Sequence, residues 1–296
     1  MENLFNGVYT AIVTPFDEAG NIDEAAFRNL IDFQIDNKTD GIVPCGTTGE
    51  SPTLTHEEHD RVIELTVEQV NKRVPVIAGT GSNSTAEAVR LSQHAEKAGV
   101  DAVMLVNPYY NKPTQEGLFL HFREIANSIN IPCVIYNIKG RTAVNLETDT
   151  LLRMEAECSN ILAVKEASGD INQMKDVIKR TQSKFSILSG DDNVALDLVE
   201  AGGHGVISVA SNIIPDRMHD MIHTAINGDI PGARKLEAEL AGFFKAMFVE
   251  TNPIPLKAAM AMKGLCVEKY RLPMCPLATD ENRQVLIEGM KGIGLL

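Results

Sequence analysis

"ILAVKEASGD" (residues 161–170) raises the question on which the fold turns. Ile161–Val164 is an apolar run of strand length, yet Lys165 follows it directly, a cation that is costly to take out of water. Alternation places Ile161, Ala163 and Lys165 on one side and Leu162, Val164 and Glu166 on the other. The first set, with its small alanine, fits the crowded interior of a closed barrel; the second fits beneath a shell of helices. Lys165 then projects into the mouth of the barrel. An unperturbed lysine, with a pKa of about 10.4, is neutral in about one molecule in 2,500 at pH 7. Burial lowers that pKa and raises the fraction of amine able to attack a carbonyl. The alternative is an ion pair with Asp191 or Asp192, or a side chain reaching to solvent.

Outward from this stretch, strand-like runs recur at Val8–Phe16, Gly41–Cys45, Val74–Ala78, Ala102–Val106, Cys133–Tyr136, Phe185–Leu188 and Gly205–Val209. Most of the gaps carry helical periodicity, as in Phe27, Leu30, Ile31 and Ile35. Thr55 with Glu58 and Ser84 with Glu87 read as capping boxes that mark helix starts. Apolar strands joined by helices imply a parallel sheet, and eight such units close most naturally into a (β/α)8 TIM barrel, an α/β fold. An open doubly wound sheet is the alternative, but the first strand-turn lacks G-x-G-x-x-G. Residues 1–226 are assigned to the barrel. Residues 227–296, more than one closing helix requires, are assigned to additional C-terminal helices packed on it.

Composition excludes several functions. Lys and Arg total 27 against 40 Asp and Glu, a formal charge of −13 that repels nucleic acid and anionic membranes. The apolar stretches are too short to span a bilayer, and the start "MENLFNGVYTAIVTPF" lacks the pattern of a signal peptide, so a cytoplasmic protein is expected. The five cysteines, Cys45, Cys133, Cys158, Cys266 and Cys275, are widely spaced and read as reduced thiols.

In a barrel, the segments that follow the strands converge on the catalytic face. They include "GTTGES" (46–51), "NPYYN" (107–111), "YNIKGRT" (136–142), "KEASGD" (165–170) and "SGDD" (189–192). Tyr136, Tyr109 and Tyr110 supply phenols that pass protons without permanent charge. Thr47 and Thr48 offer hydroxyls to a phenol or a carboxylate, and Arg141 a bidentate grip on a substrate carboxylate. Taken singly, each has a bland reading as packing, turn or solvated surface.

Taken in order, "AIVTPF" (11–16), "GTTGES", "PYYN", "YN…RT", "KEASGD", "GGHGVISV" (202–209) and "NPIPLK" (252–257) resemble the pyruvate-dependent class I aldolases, the superfamily of N-acetylneuraminate lyase and dihydrodipicolinate synthase. The resemblance covers essentially the whole chain. It implies a Schiff base between Lys165 and pyruvate, an enamine, and attack on L-aspartate 4-semialdehyde, without a cofactor beyond the covalent imine. It assigns Tyr136, Thr47 and Tyr110 to a proton relay, with Tyr110 crossing from a neighbouring subunit. Thr48 binds the pyruvate carboxylate, Arg141 holds the semialdehyde, and Gly190 and Ile207 line the pocket. The synthase branch is favoured by "GTTGE" and Arg141-Thr142, over the lyase and the 2-keto-3-deoxy sugar acid aldolases. The loop departs from the family pattern: Lys139 and Ala143 stand where a proline and a closing glycine are usual, which puts the placement of Arg141 in question.

The same resemblance implies a homotetramer built as a dimer of dimers and an inhibitory site for L-lysine at Ser51, Pro52, His56, His59, Asn83, Glu87 and Tyr109. A zinc hydrolase could be read from His219 and His223, which share a helical face, but no glutamate follows the first and no third ligand is evident, so no metal is expected. A catalytically silent ligand-binding barrel is the non-enzyme alternative; retention of the lysine, tyrosines and threonines argues against it.

Overall fold

The computed structural model describes residues 4–296. Its core is an eight-stranded, wholly parallel sheet. In chain order the barrel runs β1 (Gly7–Ala11), α1 (Glu24–Asp36), β2 (Gly41–Val43), α2 (His56–Val70), β3 (Ile77–Gly79), α3 (Thr85–Ala98), β4 (Ala102–Val106) and α4 (Gln115–Asn127). It continues through β5 (Cys133–Asn137), α5 (Lys139–Thr142), α6 (Thr148–Glu157), β6 (Ile161–Glu166), α7 (Ile171–Arg180), β7 (Ser186–Ser189), α8 (Ala195–Glu200), β8 (Gly205–Ser208) and α9 (Pro215–Ile226). Strand order is β2-β1-β8-β7-β6-β5-β4-β3. The remaining seam closes through a parallel bridge between Ile42 and Val76, with Gly79 N donating to the Pro44 carbonyl. The expected (β/α)8 barrel is therefore observed.

Two apolar clusters divide the strands. Tyr9, Val43, Met104, Val134, Ala163, Leu188 and Ile207 fill the interior. Their neighbours Val8, Ile42, Val103, Leu105, Ile135, Val164 and Val206 pack under the helices. After α9 come α10 (Ile230–Ala246), α11 (Ile254–Met262) and α12 (Asp280–Gly292). The first of these packs against α9 and α12.

Several strand expectations are corrected, β2 among them, which ends at Val43 rather than Cys45. β1 stops at Ala11 rather than Phe16. Beyond it, the side-chain amide of Asn212 replaces strand pairing, donating to Ala11 O and accepting from Val13 N. β3 begins at Ile77, after Pro75, which has no N–H to give a ladder. In β6, Cys133 pairs with Ile161 but Val134 with Ala163, a bulge that flips the phase at Leu162. Ile161 therefore packs in the outer cluster, whereas Ala163 faces inward as expected.

Helix starts follow local chemistry. Thr55 and Glu58 form the full reciprocal box. Ser84 accepts from Glu87 N, but the Glu87 carboxylate turns instead to His56 and Ser82, so the second box is only half made.

Candidate active site

The ladder between β5 and β6 sets Tyr136 directly opposite Lys165. The lysine is 5% exposed, and its Nζ lies 4.2 Å from the centre of the Tyr136 ring. Burial pushes its pKa down to about 7; the Asp192 carboxylate pulls the other way and the Arg141 guanidinium adds to the depression. At neutral pH a far larger fraction of the molecules thus carries a free amine than an exposed lysine would give. Among the described residues no carboxylate lies within 4.0 Å of Nζ, so the alternative of a salt-bridged lysine is not realised. Asp192 is itself buried and accepts from the backbone N–H groups of Val209 and Ala210.

Gly190 makes room for the amine. A Cβ there would stand 3.0 Å from Lys165 Cε and 2.7 Å from Ala167 Cβ, so any side chain would push the lysine stem aside. Ile207 lies in the barrel interior below.

The Tyr136 phenol shares the cavity wall with Thr47, whose hydroxyl favours its ionised form, but burial dominates and pushes its pKa up to about 12. It is neutral at pH 7 and able to both give and take a proton. Thr48 is buried, with its hydroxyl accepting from Asn252 Nδ2 at 3.0 Å. The Asn252 backbone carbonyl in turn accepts from Arg141 Nη2 at 3.1 Å. Asn252 thus ties the threonine turn to the arginine.

The loop bearing Arg141 is a helical turn, α5, closed by Ala143 at φ 60°, whose N–H returns to the Lys139 carbonyl. That conformation is one that glycine adopts without cost. Lys139 is exposed to solvent.

Beneath the threonines a buried ion pair holds the turn. Lys257 Nζ lies 2.6 Å from Glu50 Oε1 and also donates to the Thr14 carbonyl. Both side chains are essentially inaccessible, at 0% and 1%. Glu50 sits in the left-handed region at φ 51°, and its other oxygen accepts from Arg271 N. Neither Asn252 nor Lys257 was singled out by residue chemistry in the sequence; the signal present was the "NPIPLK" motif that contains both.

A cavity of about 330 Å³ opens beside Tyr136 and Thr47, reaches Arg141, and extends to Ser51, Pro52, His56, His59, Glu87 and Tyr109. At its far wall, His56 Nε2 and Glu87 Oε1 are 2.7 Å apart. His59 is buried, with Nε2 2.9 Å from the Gly79 carbonyl, and burial lowers its pKa. Asn83 borders this wall by donating to the Tyr109 carbonyl. Tyr110 is not in the cavity: it is 91% exposed, at φ 71°.

A buried lysine of lowered pKa at the C-terminal mouth of a (β/α)8 barrel, with a phenol and a threonine beside it, describes the class I aldolases, which work through an imine. The chain belongs to the Dihydrodipicolinate synthetase family, whose sequence model matches residues 4–288. It is 53% identical over 293 residues to a 4-hydroxy-tetrahydrodipicolinate synthase of Syntrophus aciditrophicus, covering 99% of this chain and all of that one. Among solved structures it resembles the Cyanidioschyzon merolae enzyme with lysine bound, at a TM-score of 0.97, 39% identity and full coverage of both chains. It also resembles the Acinetobacter baumannii synthase complexed with pyruvate, at a TM-score of 0.96, 42% identity, and coverage of 99% and 100%.

Proposed function

We propose that Lys165 is the amine through which this chain carries out the condensation of pyruvate with L-aspartate 4-semialdehyde, the reaction of 4-hydroxy-tetrahydrodipicolinate synthase on the way to lysine and diaminopimelate. The carrying observation is the depressed pKa of Lys165 beside Tyr136. The free amine adds to the keto carbon of pyruvate, and the carbinolamine loses water to give an imine. The imine acts as the electron sink when a methyl proton leaves, so the carbon chemistry calls on no separate cofactor. The resulting enamine attacks the aldehyde, and the substrate's own amine then displaces Lys165 from the imine carbon.

Tyr136, with Thr47 beside it in the cavity wall, is assigned the proton transfers of dehydration and enamine formation. Tyr110 is assigned to complete the relay from a neighbouring subunit, which its exposure in the single chain supports. Thr48, oriented by Asn252, receives the pyruvate carboxylate, and Arg141 receives that of the semialdehyde. Gly190 and Ile207 shape the floor of the pocket. The assembly is taken to be a tetramer of two dimers, acting in the cytoplasm. Among the described residues no helix is long and apolar enough to cross a membrane.

L-Lysine is proposed as an effector at the far wall of the cavity, with Glu87 facing its α-amino group and Ser51, Pro52, His56, His59, Asn83 and Tyr109 around it. The lysine-bound relative and the His56–Glu87 pair support this reading.

A coupled assay tests the acceptor. With pyruvate present, turnover is expected with L-aspartate 4-semialdehyde and not with N-acetylmannosamine. Preference for the sugar would assign the chain to the lyase branch instead.

A further inference from the structure

At the N-terminal end of the barrel, away from Lys165, α9 and the approach to β2 bring together three ligand-type side chains. His219 and His223 lie one helical turn apart on α9, their rings stacked with centroids 4.0 Å apart and an interplanar angle of 21°. Asp40, immediately before β2, supplies the third group: its Oδ2 is 2.8 Å from His223 Nε2. One ring nitrogen from each histidine and a carboxylate oxygen of Asp40 all lie within 4.8 Å of one another. All three residues are partly exposed, so an ion in solution has access.

The site is built from rigid parts. Asp40 is fixed by donating its backbone N–H to the Val8 carbonyl and accepting from Val8 N at 2.7 Å. Asp220 Oδ1 lies 3.2 Å from His219 Nδ1, placed to orient that ring as carboxylates do behind metal-bound histidines. Lys38, two residues before Asp40, is held by the same Asp220 at 3.0 Å. Two imidazoles and one carboxylate form a donor set suited to zinc-class divalent ions rather than to magnesium or calcium. We propose that Asp40, His219 and His223 form a divalent transition-metal site that clasps α9 to the N-terminal end of β1 and β2. The sequence left this pair without a third ligand because Asp40 lies far away in the chain and on a different element.

The test is calorimetric titration of ZnCl2 into the chelator-treated full chain. It is run in a Cys275→Ser background because that thiol is exposed and could bind zinc itself. The expected result is one saturable equivalent, a raised melting temperature with zinc, and no heat with MgCl2. His219→Ala, at a partly exposed position, should weaken zinc binding about tenfold or more while condensation activity is unchanged. Absence of saturable binding would overturn the site, as would equal affinity in the His219→Ala variant.

Discussion

Tyr136 and Lys165 are cross-strand partners in the β5–β6 ladder, and the ammonium of one lies 4.2 Å from the ring centre of the other. Backbone pairing therefore fixes the distance between the proposed nucleophile and its proton carrier, and no loop has to close to bring them together. Such placement on strands gives more precise geometry than placement on loops.

The pH dependence of imine formation follows from the depressed pKa of Lys165. Below that value the amine is protonated and cannot attack, so single-turnover rates with pyruvate should fall about tenfold per unit as pH drops below 7 and level off above it. The neighbouring charges act in opposite directions. Asp192 holds the lysine pKa up and Arg141 holds it down. Asp192→Asn should move the midpoint to lower pH and Arg141→Ala to higher pH. Midpoints that shift the same way, or stay fixed, would contradict the electrostatic account.

Ala143 closes the α5 turn at φ 60°, where a side chain is strained. Ala143→Gly should relieve that strain and stabilise the chain by about 1 kcal/mol, less the extra entropy of glycine in the unfolded state. Thermal unfolding should show a small rise in melting temperature. A fall would show that the turn is held by other contacts.

Glu50 and Lys257 form an ion pair with almost no access to water. Lys257→Met leaves Glu50 charged and unpaired and should cost roughly 3–5 kcal/mol. Pairing it with Glu50→Leu should recover part of that loss, because the stranded charge is gone. Denaturant unfolding of the two single variants and the double variant measures the coupling; strict additivity would contradict it.

Much of this was legible in the sequence. Eight apolar runs with polar residues at their ends specify the barrel, and Lys165 at the end of one of them marks the mouth. The hydrophobic pattern gives the phase of β6 from Ala163 onward but not at Ile161, because a bulge leaves no trace in it. Hydrophobic pattern alone extends β1 too far because Ile12 and Val13 remain buried after the ladder ends, held by Asn212 just past the neighbouring strand β8. Asn252 escaped for a related reason: a link between Thr48 and Arg141 made by a residue more than a hundred positions from either has no local signature. Glu87 was read as a helix cap as well as an effector ligand, and its carboxylate faces His56 and Ser82 rather than the helix end.

Inhibition by L-lysine should depend on Glu87, whose ionised form is favoured by hydrogen bonds from Ser82 and His56. Initial rates should fall across a millimolar-range lysine titration. In Glu87→Gln the inhibition should weaken about tenfold or more, with the uninhibited rate retained. Unchanged rates in the parent chain would remove the effector site.

The most direct measurement is borohydride reduction in the presence of pyruvate, followed by peptide mass spectrometry. Reduction should leave a stable pyruvyl adduct on the peptide containing Lys165, and Lys165→Ala should give none. An unmodified chain, or an adduct on a different lysine while Lys165 stays free, would contradict the claim that this buried amine carries the reaction.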